Sequence, residues 1–246
     1  MKKAIIGIVA KRNKHETSRF NTFIRDEMKD ALFDNGAIAI AILPTSEAIR
    51  VDSDNEHEIY SRLDDLFTPE EQSNMIAQIR ICDGVILQGG NASDAYEIWI
   101  ARYCYEHDIP MLAICAGQNN MVRAMGGTTK TSNNSTMHNK PNQDYVHGIK
   151  VECDSRFFDL IKSKKMMVNS RHKVSIDNPA NLSVSAYDED GNIEVVEDKG
   201  KACFIGIRFH PESLYKIDKK HNSIFTKFVQ ICEKNIIKKN DLDCNN

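Results

Sequence analysis

Short apolar runs alternate with segments of helical periodicity through the first half of the 246-residue chain. Apolar runs rich in β-branched residues predict strands, and apolar residues recurring every three or four positions predict helices. The runs occupy residues 4–10, 37–43, 84–88 and 109–114, and the helical segments residues 20–35, the stretch from Thr68, residues 94–107 and the stretch after Cys115. Strands alternating with helices of this length predict a parallel sheet covered by helices on both faces.

The second half of the chain has strand-like runs with little helix between them. They occupy residues 149–153, 166–169, 183–187, 193–197 and 202–209, and Asp190-Gly191 is a hairpin signal. An antiparallel extension of the sheet follows from this pattern. An amphipathic helix is expected after Asp218, with residues 240–246 frayed. The acidic segment 45–67 predicts a surface loop or lid, with a partner-binding loop as the alternative. We expect a single α/β domain over residues 1–246, with three α/β/α layers and a mainly parallel central sheet.

Composition and charge exclude several classes of protein. A formal net charge of -3 gives no concentrated positive charge for nucleic acid, and the longest apolar runs are far too short to span a bilayer. The first residues are typical of a strand and not of a secretory signal. The seven cysteines are odd in number and form no Cys-x-x-Cys pair, which favours reduced thiols in the cytoplasm over disulfides or a zinc ribbon.

Cys115 differs from the other cysteines in its surroundings. It joins the apolar run 109–114 to a helical segment, with Ala113 two residues before it and Gly117 two residues after it. A nucleophile elbow needs small residues at these positions because its turn is so tight that larger side chains would collide. At a helix N-terminus, unpaired N–H groups and the helix dipole favour the thiolate. Burial is the ordinary explanation of a lone cysteine, but this pattern favours a nucleophile.

His210 and Glu212 supply the groups that such a nucleophile needs. They lie two residues apart, after the apolar run 202–209, so an extended backbone can place both side chains on one side. A carboxylate bound to one imidazole nitrogen leaves the other nitrogen to accept a thiol proton. A surface histidine is the simpler interpretation of the pair alone. Together with Cys115, the pair predicts a cysteine hydrolase site.

Five segments carry a resemblance that covers nearly the whole chain. They are Gly-Val-Ile-Leu-Gln-Gly-Gly at 84–90, Pro-Met-Leu-Ala-Ile-Cys-Ala-Gly at 110–117, Gly-Gly-Thr at 126–128, Val-Asn-Ser-Arg-His at 168–172 and Gly-Ile-Arg-Phe-His-Pro-Glu at 206–212. In this order they resemble the class I glutamine amidotransferase superfamily, whose fold is flavodoxin-like. The Val-Asn-Ser-x-His element is most similar to the γ-glutamyl hydrolases, including the bacterial γ-glutamyl-γ-aminobutyrate hydrolase type.

The resemblance implies a role for each matching residue. Cys115 would be the nucleophile, His210 the base and Glu212 the residue that orients it, with the N–H groups of Gly90 and Ala116 as the oxyanion hole. The substrate-binding residues that it implies are Gly89, Gln118, Asn119, Asn169, Ser170 and His172. The implied reaction cleaves a small γ-glutamyl conjugate through a γ-glutamyl thioester and releases glutamate and an amine. It requires no metal or organic cofactor.

Three residues near Cys115 depart from the family's usual pattern. Ala113 stands where Gly is usual, Ala116 where Arg is usual, and Asn119 where Gln is usual, with Gln118 one position earlier. Ala113 is small enough for the elbow and Ala116 still supplies its N–H, so the attack chemistry is retained. These departures concern the binding of the part of the substrate that lies away from the reacting carbonyl.

Other functions share parts of this pattern. A glutaminase subunit that supplies ammonia to a partner synthetase would use the same triad, although no synthetase domain is predicted in this chain. A non-catalytic binding protein on the same scaffold is a second alternative, which the departures around Cys115 suggest. A Cys–His dyad protease expects His directly after the cysteine, where Ala116 stands. A homo-oligomer is compatible with the sequence, which does not specify the leaving amine.

Overall fold

The computed structural model describes residues 2–14, 20–90, 92–131 and 139–243. The strands are β1 (Ile5–Val9), β2 (Lys11–Lys14), β3 (Phe20–Phe23), β4 (Ile38–Ile42), β5 (Arg50–Val51), β6 (Gly84–Leu87), β7 (Ser93–Asp94), β8 (Met111–Ile114), β9 (Thr128–Thr131), β10 (His147–Val151), β11 (Lys165–Val168), β12 (Val174–Asn178), β13 (Ser183–Asp188), β14 (Ile193–Glu197) and β15 (Phe204–Ile207). The helices are α1 (Asp26–Asp34), α2 (Glu56–Ser61), α3 (Pro69–Ile81), α4 (Ala95–Glu106), α5 (Ala116–Ala124), α6 (Arg156–Ile161) and α7 (Lys219–Asp243), with a 3-10 turn at Pro211–Ser213.

A nine-stranded sheet in the order β11-β10-β13-β14-β15-β8-β6-β1-β4 forms the middle layer. The five strands from β15 to β4 are parallel, and the pairs from β15 to β11 are antiparallel. The predicted three-layer fold, with a mainly parallel sheet and an antiparallel extension, is therefore confirmed. Parallel strands need long crossovers, which the helices between β1 and β8 provide, whereas short turns suffice in the second half.

Side chains of the parallel strands are buried on both faces of the sheet. In β8, Leu112 and Ile114 join the core beneath α1, α6 and α7, while Met111 and Ala113 join the core beneath α3, α4 and α5. This alternation follows from the two-residue period of a strand. It explains why the strand runs are continuously apolar and why their polar residues begin only where the strands end.

Two local predictions from the sequence were wrong. Residues 20–35 do not form one helix, because Phe20–Phe23 pairs with Lys11–Lys14 in an antiparallel hairpin and α1 begins only at Asp26. Cross-strand pairing here overrides local helical periodicity. The helix at the end of the chain continues through Asp243 instead of fraying at residue 240, and residues 244–246 lie outside the described residues.

The start of α3 is encoded locally. The Thr68 hydroxyl accepts a hydrogen bond from the Glu71 N–H at 3.2 Å, and the Glu71 carboxylate accepts one from the Thr68 N–H at 2.8 Å. This reciprocal capping box, followed by Pro69 at the first helical position, satisfies N–H groups that the helix leaves free. In the described ranges, no helix is both long and apolar enough to cross a membrane.

The acidic segment 45–67 is more structured than the loop that its composition suggests. It contains α2 and the short strand β5, which pairs with β7. Glu56 is buried at the start of α2, where its carboxylate binds Arg123 of α5 at 2.7 Å and accepts hydrogen bonds from the N–H and the hydroxyl of Thr129, both at 2.8 Å. One buried carboxylate therefore fastens the segment to the main body of the fold.

Replacing Glu56 with Ala should lower the free energy of unfolding by about 3–5 kcal/mol, because Arg123 would remain buried without its anion. Urea unfolding of the purified protein measures this loss. The matched control is Glu58→Ala in the same helix, where the carboxylate pairs with Arg62 in solvent; the expected loss there is below about 1 kcal/mol. Equal effects of the two substitutions would contradict the anchoring role of Glu56.

Candidate active site

Three neighbouring parallel strands end at the same edge of the sheet. Strands β6, β8 and β15 are adjacent, and they lead into Gly89-Gly90, Cys115 and His210 respectively. Ligands of open α/β sheets bind at the carboxyl ends of the strands, where the loops are free to carry chemistry. The sheet topology thus brings together residues that are far apart in the sequence.

Cys115 lies in a strained turn between β8 and α5. Its φ is 54° and its ψ is -111°, a conformation rarely adopted by residues with a side chain. Its N–H donates to the carbonyl of Ile207 at 2.8 Å, and its carbonyl accepts from the Gln118 N–H at 3.0 Å. A Cβ on Gly117 would lie 2.3 Å from the carbonyl oxygen of Leu87. This close approach is the physical reason for the small residue two positions after the cysteine.

His210 is held both through its ring and through its backbone. Its Nδ1 lies 2.6 Å from Oε1 of Glu212, which leaves Nε2 to face another group. The Asn169 side chain donates to the carbonyl of His210 at 2.8 Å and accepts from its N–H at 2.7 Å. The carboxylate orients the imidazole, and the carboxamide fixes the strand end that carries it.

The charges of the site favour an ionised cysteine. Burial disfavours the thiolate, but the hydrogen bond and positive charge of His210, with the charge of Arg208, outweigh it and hold the pKa of Cys115 below its usual value. Burial also disfavours the imidazolium, yet Glu212 and the Cys115 thiolate together raise the pKa of His210 above its usual value. Both shifts favour the pair in which Cys115 is the thiolate and the proton lies on His210 over the pair of neutral groups.

The two glycines after β6 lie in different environments. A Cβ on Gly89 would lie 2.8 Å from Cε1 of His210 and 3.1 Å from the Cβ of Cys115. A Cβ on Gly90 would instead meet the flexible stem of Lys11 at 3.2 Å. The Lys11 ammonium pairs with the buried Glu97 and donates to the carbonyl of Ala92 at 3.1 Å. A buried ion pair therefore supports the glycine loop from behind.

Two cavities meet at Cys115. The larger has a volume of about 540 Å³ and includes Ala116, Asn119, His172 and Arg208 in its wall. The smaller has a volume of about 280 Å³ and is lined by Arg25, Gly90, Cys115, Asn139, Pro141, Arg171 and His210. Cys115 and Gly90 line both cavities, so a substrate whose reacting carbonyl lies at the thiolate can extend to either side. The backbone N–H of Ala116, at the start of α5, has no carbonyl partner within its helix.

Some residues expected to bind substrate lie elsewhere. The Gln118 side chain is fully buried and donates to the carbonyls of Glu194 and Gly206, so it packs α5 onto the sheet and does not form the pocket wall. The Asn169 carboxamide is occupied by the backbone of His210. Ser170 is fully buried, and its carbonyl accepts from the Lys140 N–H. Asn119 and His172 do line the larger cavity, and Gly89 lies against the Cys115–His210 pair.

One group of side chains has the geometry to hold a metal ion. In the part of the chain that is described, His147, His172 and Glu194 bring potential ligand atoms within 4.8 Å of one another. Each of the two imidazole Nε2 atoms lies 3.8 Å from the same Glu194 oxygen. All three residues also have further polar or electrostatic interactions. The cluster lies beside the larger cavity through His172 and is separate from the Cys115–His210 pair.

The sequence model of the peptidase C26 family matches residues 4–212. This chain belongs to the peptidase C26 family. The match includes all three strand ends of the site and ends at Glu212, the carboxylate partner of His210. Membership carries the class I glutamine amidotransferase-like fold and a hydrolase site; the narrower assignment to the γ-glutamyl hydrolases stays a prediction.

The relatives of this C26 member include synthases. The chain is 32% identical over 152 residues to the glutamine-hydrolyzing GMP synthase of Prochlorococcus marinus, covering 58% of this chain and 27% of that protein. It is 25% identical over 193 residues to the CTP synthase of Chlamydia trachomatis, covering 65% and 35%. It is 30% identical over 156 residues to a glutamine-hydrolyzing GMP synthase subunit of Methanobrevibacter smithii, covering 61% and 74%. The matched region is thus about a third of the two longer synthases.

Solved structures share the fold across almost the whole chain. A Thermoplasma acidophilum protein described as a GMP synthase subunit superposes with a TM-score of 0.62 at 16% identity, covering 97% of this chain and 100% of its own. The glutaminase domain of Trypanosoma brucei CTP synthase, bound to acivicin, superposes with a TM-score of 0.61 at 16% identity, covering 94% of both chains. At these identities the superpositions establish the fold.

His210→Ala should raise the pKa of Cys115, because the hydrogen bond and the positive charge that favour the thiolate are lost. Alkylation of Cys115 by iodoacetamide near pH 7, followed by mass spectrometry of the cysteine peptides, should slow by about tenfold for each unit of rise. Cys203 is the internal control, since burial raises its pKa to about 12 and it should stay unmodified in both proteins. An unchanged pH profile at Cys115 would show that His210 does not govern its ionisation.

Gly89→Ala and Gly90→Ala form a matched pair. The first places a methyl group against both His210 and Cys115. It should reduce kcat/KM for hydrolysis at this site on the order of 100-fold, which is the effect of misplacing reacting groups by about 1 Å. The second places its methyl group against the side-chain stem of Lys11 instead of His210 and Cys115 and keeps its backbone N–H, so its loss of kcat/KM should be much smaller. Circular dichroism confirms that both variants fold. The reverse ranking would contradict the geometry assigned to this loop.

Proposed function

We propose that this chain hydrolyses the γ-amide of a glutamyl group through a thioester on Cys115. The observation that carries the proposal is the buried Cys115–His210–Glu212 constellation at the ends of adjacent strands, in which His210 and Arg208 lower the pKa of the Cys115 thiol. The oxyanion donors are the N–H groups of Gly90 and Ala116, which line the larger cavity beside the cysteine. Membership of a family of amidotransferase-like hydrolases supports the same reaction class.

The steps follow from the resting ion pair. The Cys115 thiolate attacks the γ-carbonyl carbon, and the charge on the carbonyl oxygen is stabilised by the two N–H donors. The C–N bond breaks as His210 transfers its proton to the leaving nitrogen, which leaves a γ-glutamyl thioester and a neutral imidazole. A water molecule then attacks the thioester carbonyl while His210 accepts its proton. Cleavage of the C–S bond releases glutamate and restores thiolate and imidazolium.

Glutamine is the substrate that the relatives favour. They include GMP synthase proteins named as glutamine-hydrolyzing and the glutaminase domain of a CTP synthase. By this analogy the chain would release ammonia, and its biological partner would be a synthetase that consumes it. Location in the cytoplasm accords with this function and stays a prediction.

Hydrolysis of a larger γ-glutamyl conjugate is the second candidate, and one feature of the site favours it. The cavity on the His210 side has a volume of about 280 Å³, which is far more than ammonia needs. Because His210 protonates the leaving nitrogen, this cavity would receive the amine. A free-standing γ-glutamyl hydrolase would use this space for its leaving group.

Purified protein should hydrolyse either L-glutamine or γ-glutamyl-ethylamide, measured by release of glutamate from each. A higher kcat/KM for glutamine supports the glutaminase, and a higher value for the ethylamide supports the conjugate hydrolase. Cys115→Ala should abolish both activities, because the thioester cannot form; a typical triad knockout lowers kcat by about a millionfold. Retention of activity in that variant, or the absence of hydrolysis of any γ-glutamyl amide, would sink the proposal.

A further inference from the structure

Arg208 is a buried cation at the active site. It lies between β15 and His210, is 1% exposed and lines the same cavity as Cys115. Its Nη1 donates to Oδ1 of Asn119 at 2.8 Å. Its Nε and Nη2 have no hydrogen-bond partner within the described ranges. Unlike Arg123, which is bound to the carboxylate of Glu56, Arg208 forms no ion pair with a described carboxylate.

A buried guanidinium without a hydrogen-bonded anion is unfavourable. Burial lowers the pKa of Arg208, while the Cys115 thiolate and the nearby Glu194 charge act in the opposite direction. Even so, an arginine side chain stays protonated in proteins. The desolvation of its charge is offset only when an anion with matching geometry binds to it.

The two unpartnered nitrogens point to the shape of that anion. Nε and Nη2 form one edge of the planar guanidinium, with two nearly parallel N–H bonds. A carboxylate accepts both of these bonds at once, and this bidentate geometry is the arrangement that distinguishes arginine from lysine. Asn119 holds the remaining side of the group through Nη1, so the free edge has a fixed orientation.

The position of Arg208 indicates that the anion it binds belongs to the acyl group of the substrate and not to the leaving group. His210 lines the smaller cavity and must reach the leaving nitrogen, so the leaving group lies on that side of Cys115. The acyl chain then extends into the larger cavity, which Arg208 lines. Asn119, its partner, lies about one helical turn, or 5.4 Å, beyond the nucleophile along α5. In a glutamyl group, four carbon–carbon bonds of about 1.5 Å separate the γ-carbonyl carbon from the α-carboxylate carbon, a comparable span.

We propose that Arg208 is the specificity residue of this site and binds the α-carboxylate of the γ-glutamyl group through Nε and Nη2. The inference rests on the proposed function for the identity of the acyl group, but the binding step requires no catalysis. Its consequence is a strict preference for acyl groups that carry a carboxylate at this distance from the reacting carbonyl.

The test compares γ-glutamyl-ethylamide with 4-aminobutyryl-ethylamide, which differs only in lacking the α-carboxylate. Calorimetry on Cys115→Ala protein measures binding without turnover. We expect the γ-glutamyl compound to bind about 10- to 100-fold more tightly, as for a hydrogen-bonded charge pair. Adding Arg208→Gln should abolish this preference, and Arg208→Lys should restore part of it because the charge returns without the bidentate edge.

Lys173→Gln is the matched control, because Lys173 lines the same cavity but is exposed to solvent. Its loss should change the preference by less than about fivefold. Thermal unfolding and alkylation of Cys115 in the single Arg208 variants separate a folding defect or an altered thiol pKa from a binding defect. Equal weakening of both compounds by Arg208→Gln, or equal binding of the two by the Cys115→Ala protein, would overturn the assignment.

The same variants distinguish this inference from the proposed function. If the unmodified protein hydrolyses γ-glutamyl-ethylamide and Arg208→Gln still prefers the compound with the α-carboxylate, the assignment of Arg208 is wrong and the proposed reaction stands. If the preference for the α-carboxylate depends on Arg208 but the protein hydrolyses neither compound, Arg208 binds the carboxylate and the proposed reaction is wrong. If γ-glutamyl-ethylamide does not bind, the proposed role of Arg208 is contradicted.

Discussion

The turn at Cys115 is the constraint on which the rest of the site depends. A cysteine with a φ of 54° is held in a conformation that costs on the order of 1–3 kcal/mol, so the surrounding structure must enforce it. Hydrogen bonds to β15 and to the first turn of α5 do so, and the glycine at position 117 allows α5 to pass against the carbonyl of Leu87. The strained turn has a chemical consequence, because it places the sulfur at a helix N-terminus and beside His210, where the thiolate is favoured.

Buried polar pairs hold the loops that face this turn. Lys11 and Glu97 form an ion pair inside the fold, and Asn120 of α5 donates to the same carboxylate at 2.7 Å. Such pairs contribute little net stability compared with apolar packing, since desolvation offsets most of their attraction. What they provide is a fixed geometry, because the Lys11–Glu97 pair connects the loop after β6 to the helix that follows Cys115. The two segments that carry the proposed oxyanion donors are therefore joined through this pair.

The positions of the sheet strands along the chain and the tight turn at Cys115 were predictable, because both depend on short-range patterns in the sequence. Apolar runs predicted the sheet, and small residues around Cys115 predicted the elbow. The hydrogen bonds between the Asn169 side chain and the backbone of His210 were not predictable. They join residues 41 apart in the sequence and depend on the direction of one side chain in the folded protein. Arg208 was missed for a related reason. It lay inside the segment that carried the resemblance, and only the fold shows that its free edge is buried beside Cys115 without a carboxylate partner.

The charge of Arg208 has a further consequence for the order of events. Before reaction, the thiolate of Cys115 provides a negative charge near the guanidinium. In the proposed reaction, attack on the carbonyl would convert that thiolate into a neutral thioester, and proton transfer would leave His210 neutral as well. The buried cation would then lose the negative charge of Cys115 midway through the reaction. A carboxylate on the acyl group, bound throughout, removes this penalty. On this proposal, the acyl-enzyme is stabilised only when the acyl group carries a carboxylate that pairs with Arg208. The charge of Arg208 would then select the substrate at the stage of the intermediate.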